Sequence, residues 1–123
     1  MAKVMLVEDD LTMVNLLRTF LEIEGFEVAT FSPGEDILGS IKKNEPDIIL
    51  LDVHLKNIGE VDIDGFELLT QIRGDNQLNG AKIIMASGMD VRDKSNKYGA
   101  DGFMLKPFMP NDLIRLFKKV LDN

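Results

Sequence analysis

Residues 48–54 read IILLDVH, four consecutive apolar side chains followed at once by the carboxylate of Asp52. An unbroken apolar run of this length suits a strand covered on both faces, as in a parallel sheet, better than the alternating pattern of a half-solvated strand. A carboxylate at the mouth of such a strand needs a reason. Four similar runs, from Lys3 to Val7, Glu27 to Thr30, Lys82 to Met85 and Gly102 to Leu105, join the run from Asp47 to Leu51, and longer segments of helical periodicity separate them. That alternation predicts βα units around a parallel sheet. A closed eight-unit barrel needs roughly 250 residues, so 123 residues predict an open, doubly wound α/β sheet in one domain, residues 1–123.

The intervening segments carry helix signals. Met13, Leu16, Leu17, Phe20 and Leu21 recur at i, i+3, i+4, i+7 and i+8, which predicts a buried stripe, with Asp10 as cap and Gly25 as terminator. Ser32, Pro33 and Glu35 have the spacing of a capping box with proline at the first helical position, ahead of Ile37, Leu38 and Ile41. Asp64 is placed to cap a third helix from Gly65, with Glu67 at the box position and Leu68, Leu69 and Ile72 inward. Between Asp90 and Tyr98 the periodicity is weak. A last helix begins near Pro110, buries Leu113, Leu116, Phe117, Val120 and Leu121, and carries Lys118 and Lys119 at the negative end of its dipole.

Composition narrows the chemistry. Hydrophobic residues make up 45% and charged residues 28%, proportions of a globular chain. Cysteine is absent and His54 is the only histidine, so neither a disulfide nor a usual nitrogen or sulfur zinc site can be assembled. A net charge of −7 opposes nonspecific attraction to nucleic acid or anionic lipid. The first apolar run is cut by acids at Glu8, and no run approaches the ~18 residues of a membrane span, so a cytoplasmic protein without membrane insertion is expected. No DNA-binding domain is expected after the last helix, and no direct nucleic-acid contact is expected.

In an open parallel sheet, ligands bind beyond the carboxyl ends of the strands. Glu8, Asp9 and Asp10 follow the first strand, Asp52 the third, Ser87-Gly88 the fourth and Lys106-Pro107 the fifth. Taken singly, each has a structural explanation: Asp52 a turn, Glu8 and Asp9 an acidic first helical turn, Ser87 a strand end, Lys106 a solvated lysine. Together they predict one acidic rim that needs positive charge, from Lys106 and from an oxygen-seeking cation such as Mg²⁺. With that charge in place Asp52 can attack a phosphoryl donor and form an aspartyl phosphate.

The stretches VMLVEDD, IILLDVH, IIMASG and GADGFMLKPF, in this order, resemble the receiver domain of bacterial two-component response regulators (CheY-like) along essentially the whole chain. The resemblance implies a flavodoxin-like five-stranded parallel sheet of order 2-1-3-4-5 flanked by five helices. It implies that Asp52 accepts phosphate from a sensor histidine kinase or histidine phosphotransfer protein and loses it slowly by hydrolysis. Asp9, Asp52 and the backbone carbonyl of His54 would hold Mg²⁺, or Mn²⁺ in its place, with Glu8 supporting the ion through water. Ser87 and Lys106 would engage the phosphoryl group, Ser87 and Phe103 would form the switch, and the output would be altered binding of a partner protein or a phosphorylation-dependent dimer. His54 and Met89 would tune dephosphorylation.

Serine stands at Ser87 where threonine is common, and Phe103 lacks the hydroxyl of the frequent tyrosine. The segment HLKNIGEVDIDG, residues 54–65, is longer than usual and lacks the familiar proline. Three rival functions use the same architecture. A small-substrate, metal-dependent phosphatase would want a positioned acid or base for turnover, and no second carboxylate stands two places after Asp52, where His54 is found. A phosphorylation-independent interaction domain would keep the rim without its chemistry. A flavodoxin-like cofactor domain is disfavoured by VEDD, whose carboxylates repel a nucleotide phosphate.

Overall fold

A computed structural model of the chain describes residues 2–31, 36–55 and 63–122. In chain order the elements are β1 (Lys3–Val7), α1 (Leu11–Ile23), β2 (Glu27–Thr30), α2 (Ile37–Asn44), β3 (Ile48–Asp52), β4 (His54–Leu55), β5 (Ile63–Asp64), α3 (Gly65–Arg73), β6 (Lys82–Ser87), α4 (Arg92–Lys97), β7 (Gly102–Leu105) and α5 (Pro110–Leu121). β2, β1, β3, β6 and β7 form one parallel sheet in that order. Counting these five strands alone, the order is the expected 2-1-3-4-5.

The period-2 geometry of strands sends alternate side chains to opposite layers. Val4, Leu6, Ile48, Leu50, Ile84 and Ala86 pack with Val14, Leu17 and Leu21 of α1 and Leu113, Phe117 and Val120 of α5. Met5, Val7, Ile49, Leu51, Ile83 and Met85 pack on the other side with Ile37 and Ile41 of α2 and Leu68, Leu69 and Ile72 of α3. Both faces are covered, which is why the strands could be written almost wholly in apolar residues.

Several boundaries differ from expectation. β3 begins at Ile48 and includes Asp52, because the main-chain ladder continues past the last apolar residue to pair Asp52 with Ala86. β6 likewise extends to Ser87. The stripe of α1 is rotated: Leu16 is 50% and Phe20 39% exposed, while Val14 is buried beside Leu17 and Leu21. At 100° per residue the buried line centres roughly 60° from the one predicted. The expected cap at Ser32, with Pro33 and Glu35, lies outside the described residues; α2 starts at Ile37 and is capped by Asp36, whose carboxylate accepts from the Gly39 amide. Asp10 and Asp64 cap α1 and α3 as predicted, accepting from the amides of Met13 and Phe66. Gly25 follows α1 at φ 96°, a left-handed conformation that glycine adopts without Cβ strain.

The weak helical signal after Asp90 becomes α4, six residues with Ser95 as its one buried side chain. Its far end is tied down by Arg73, whose guanidinium donates to the carbonyls of Gly99, Asn79 and Ala81 and to the Asp101 carboxylate. No helix among the described residues is long and apolar enough to cross a membrane.

Candidate phosphoacceptor site

Sheet register determines which groups meet. Val7 pairs with Leu51, Leu51 with Met85, and Ser87 with Leu105, so the carboxyl ends of four strands finish nearly level. Glu8, Asp52, Ser87 and Lys106 therefore share one rim although they span 98 positions. The Val53 amide donates to the Ala86 carbonyl at 2.9 Å and the Lys106 amide to the Ser87 carbonyl at 2.8 Å, extending the ladder into the site.

Lys106 lies across the acids. Its Nζ donates to Glu8 Oε1 at 3.2 Å and Oε2 at 3.1 Å, and lies 3.2 Å from Asp52 Oδ2. Glu8 and Asp52 are each 6% exposed, so these are charges in a poorly solvated place. Asp9 joins them: one carboxylate oxygen from each of Glu8, Asp9 and Asp52 lies within 4.8 Å of the others, a donor set that could hold a metal ion.

The electrostatics follow from crowding. Burial raises the pKa of Glu8, and the hydrogen bond and negative charge of Asp52 push it further, to about 7, against the opposing pull of Lys106. For Lys106, burial disfavours the ammonium, but Glu8 and Asp52 outweigh it and hold its pKa above the usual lysine value. The ammonium is therefore a fixed charge across the working pH range, and the titration falls on Glu8.

Ser87 is 1% exposed, and its Oγ accepts from the Met89 amide at 3.1 Å. The Lys106–Pro107 peptide bond is cis. Phe103 is buried against the α2/α3 layer, with the Arg92 guanidinium 5.6 Å from its ring centroid. His54 is exposed and is not a plain loop residue: His54–Leu55 pairs antiparallel with Ile63–Asp64 in a two-residue ladder. The His54 amide lies 3.4 Å from Asp52 Oδ1. Residues 56–62 of the long segment lie outside the described residues.

Sequence reasoning missed this ladder and the close seating of α3 beneath it. The Gly65 amide donates to the Val53 carbonyl at 2.7 Å, and a Cβ built on Gly65 would stand 2.3 Å from the Asp52 carbonyl oxygen. The Asp64-Gly65 pair was its only local signal.

The family model of the response regulator receiver domain matches residues 4–118. The chain belongs to the response regulator receiver family. The receiver is 36% identical over 97% of its length to regulatory protein VanRc of Enterococcus gallinarum, and 34% identical over 97% to the alkaline phosphatase synthesis transcriptional regulatory protein PhoP of Bacillus subtilis. It covers 49% and 48% of those proteins, so it spans about half the length of the curated relatives it matches. Among solved structures, a response regulator from Chloroflexus aurantiacus superposes with a TM-score of 0.85 at 30% identity, covering 99% of this chain and 98% of that one. Chemotaxis response regulator CheY4 of Vibrio cholerae gives 0.82 at 30%, covering 98% of each.

Proposed function

We propose that this receiver takes a phosphoryl group onto Asp52 from the phosphohistidine of a sensor histidine kinase or phosphotransfer protein, and that the modified state changes its affinity for an output partner or a second copy of itself. The observation that carries the proposal is the Lys106 ammonium within 3.2 Å of both Glu8 and Asp52, beside an acidic triad able to bind a hard cation.

Asp52 supplies the nucleophile. One carboxylate oxygen forms a bond to phosphorus as the phosphorus–nitrogen bond of the donor breaks, and the bonding pair returns to the donor imidazole. Three carboxylate oxygens with no nitrogen or sulfur donor among them fit Mg²⁺ or Mn²⁺. Glu8, Asp9, Asp52 and the His54 carbonyl would hold that ion, which would neutralise the phosphoryl oxygens when bound. Lys106 then exchanges part of its contact with Asp52 for a phosphoryl oxygen, keeping its charge beside the transferred group. The Ser87 hydroxyl turns to donate to another oxygen, and Phe103, packed beneath α4, repacks with it. Water attacking phosphorus releases inorganic phosphate and restores the carboxylate, resetting the domain without turnover of a small substrate.

The test is incubation with acetyl phosphate and Mg²⁺, followed by intact mass. One added phosphoryl group is expected, absent with EDTA and absent in Asp52→Asn. An unmodified wild-type chain, after a receiver of known competence has been phosphorylated in parallel, would leave the interaction domain as the better account. Sustained release of phosphate from phosphomonoesters would instead favour the phosphatase.

A further inference from the structure

Gly65 occupies the first position of α3, where its backbone is ordinary helix and alanine would be conformationally acceptable. What alanine would lack is space. An ideal Cβ there would stand 2.3 Å from the Asp52 carbonyl oxygen, 2.8 Å from Val53 Cα and 3.1 Å from the Asp52 carbonyl carbon, all of them backbone atoms. Gly102 offers a contrast, since its Cβ would meet the tip of the Ile84 side chain at 2.8 Å, which can turn aside. No such yielding is open to the peptide that follows Asp52, because it is fixed from both sides. The Val53 amide is bonded to Ala86 in the sheet, and the Val53 carbonyl accepts from Gly65 itself. The ladder of His54 with Asp64 and Leu55 with Ile63 then clamps the chain just beyond.

We infer that Gly65 is a positioning residue for phosphoryl transfer: by lacking a side chain it lets α3 seat directly on the Asp52–Val53 peptide and so fixes the Asp52 carboxylate and the His54 carbonyl against the acidic rim. This deepens the function proposed above and rests on it for the identity of the reaction. The Asp52 carbonyl and carboxylate hang from one Cα, so moving the first moves the second. Ordinary contact begins at 3.4 Å, so an alanine would have to displace that peptide by roughly 1 Å, a misplacement that lowers a reaction of positioned groups by about 100-fold. Asp64 supports the same seat by capping α3 through the Phe66 amide at 2.9 Å.

The test compares Gly65→Ala with Gly102→Ala, a glycine whose added Cβ meets side chains only, on β7 and away from the rim. Mn²⁺ affinity is read by electron paramagnetic resonance, acetyl phosphate phosphorylation by intact mass, and stability by urea titration. Gly65→Ala should phosphorylate about 100-fold more slowly than wild type and bind Mn²⁺ at least tenfold more weakly, while Gly102→Ala, at matched loss of stability, leaves both within about threefold. Gly65→Ala within threefold of wild type in both readouts, or both variants falling together with stability, would overturn the inference. If Gly65→Ala does not fold, Asp64→Ala loosens the seat without adding atoms and should weaken Mn²⁺ binding about fivefold, the equivalent of one lost helix cap; unchanged affinity there would overturn it as well. Should the wild-type chain accept no phosphoryl group, the proposed function fails, and the Mn²⁺ titration still decides whether Gly65 positions the rim.

Discussion

Glu8 gives the site a pH dependence that can be worked from its surroundings. Its pKa stands at about 7 instead of 4.5, through burial first and the neighbouring Asp52 second. Because the shift is upward for an acid, the folded chain carries a proton between these values that the unfolded chain does not. Stability of the metal-free domain must then fall as pH rises through that window, and the loss is complete above about pH 7. At about 1.4 kcal/mol for each tenfold, discounted for solvent screening at the open rim of the sheet, the difference is of order 1–2 kcal/mol, still a sizeable part of the stability of a small domain. A cation needs the deprotonated form, so its affinity moves oppositely: an acid of pKa about 7 is some nine-tenths ionised at pH 8 and one-tenth at pH 6, which makes Mg²⁺ binding about tenfold weaker at pH 6. Urea titrations in EDTA from pH 5 to 8, and calorimetric Mg²⁺ titrations at pH 6 and 8, would read the two effects. Glu8→Gln isolates this group from every other titrating one and should flatten both profiles. Identical pH dependence in wild type and Glu8→Gln would refute the assignment.

Lys106→Met should slow phosphorylation by about 10²–10³-fold, as loss of a charge aimed at the transferring group does, with circular dichroism confirming the fold; a rate within threefold of wild type would remove Lys106 from the chemistry. Leu51→Ala, at a fully buried position, should lose ~2–5 kcal/mol in urea titration yet still accept phosphate when folded, whereas Asp52→Asn should do the reverse. Leu17→Ala on the buried face of α1 should fall in the same ~2–5 kcal/mol range, while Leu16→Ser on its exposed face should change stability by no more than about 0.5 kcal/mol. Arg73→Ala leaves the carbonyls of Gly99 and Ala81 without their donor and should destabilise by about 2 kcal/mol, with the amides around α4 exchanging faster with solvent.

The sheet was legible because its central strands are buried on both faces, so the apolar runs IILL and KIIM announce themselves without periodicity. The acidic rim then followed from placing Glu8, Asp52 and Lys106 at strand ends, and the strand order from the resemblance to receiver domains. The face of α1 was misjudged for a physical reason: Leu16 and Phe20 extend the same helical spacing as Leu17 and Leu21, and only packing against the sheet and α5 selects which line is buried. Two-residue ladders such as β4 with β5 have no period to detect. The Arg73 network was equally hidden, since its partners are carbonyls and an acid up to 28 positions away that any sequence would offer. The tight seat of Gly65 depends on where α3 lands, which no local pattern encodes.

The central claim is that a lysine and a bound cation turn the carboxylate of Asp52 into the acceptor. Borohydride reduces an acyl phosphate on aspartate to homoserine, so trapping the chain after acetyl phosphate and Mg²⁺ treatment and mapping its peptides tests the claim at one residue. Homoserine at position 52, lost with EDTA and strongly diminished in Lys106→Met, is the predicted result. Homoserine at Asp9 or Asp10 instead, or equal labelling of position 52 in the Lys106→Met chain, would contradict it.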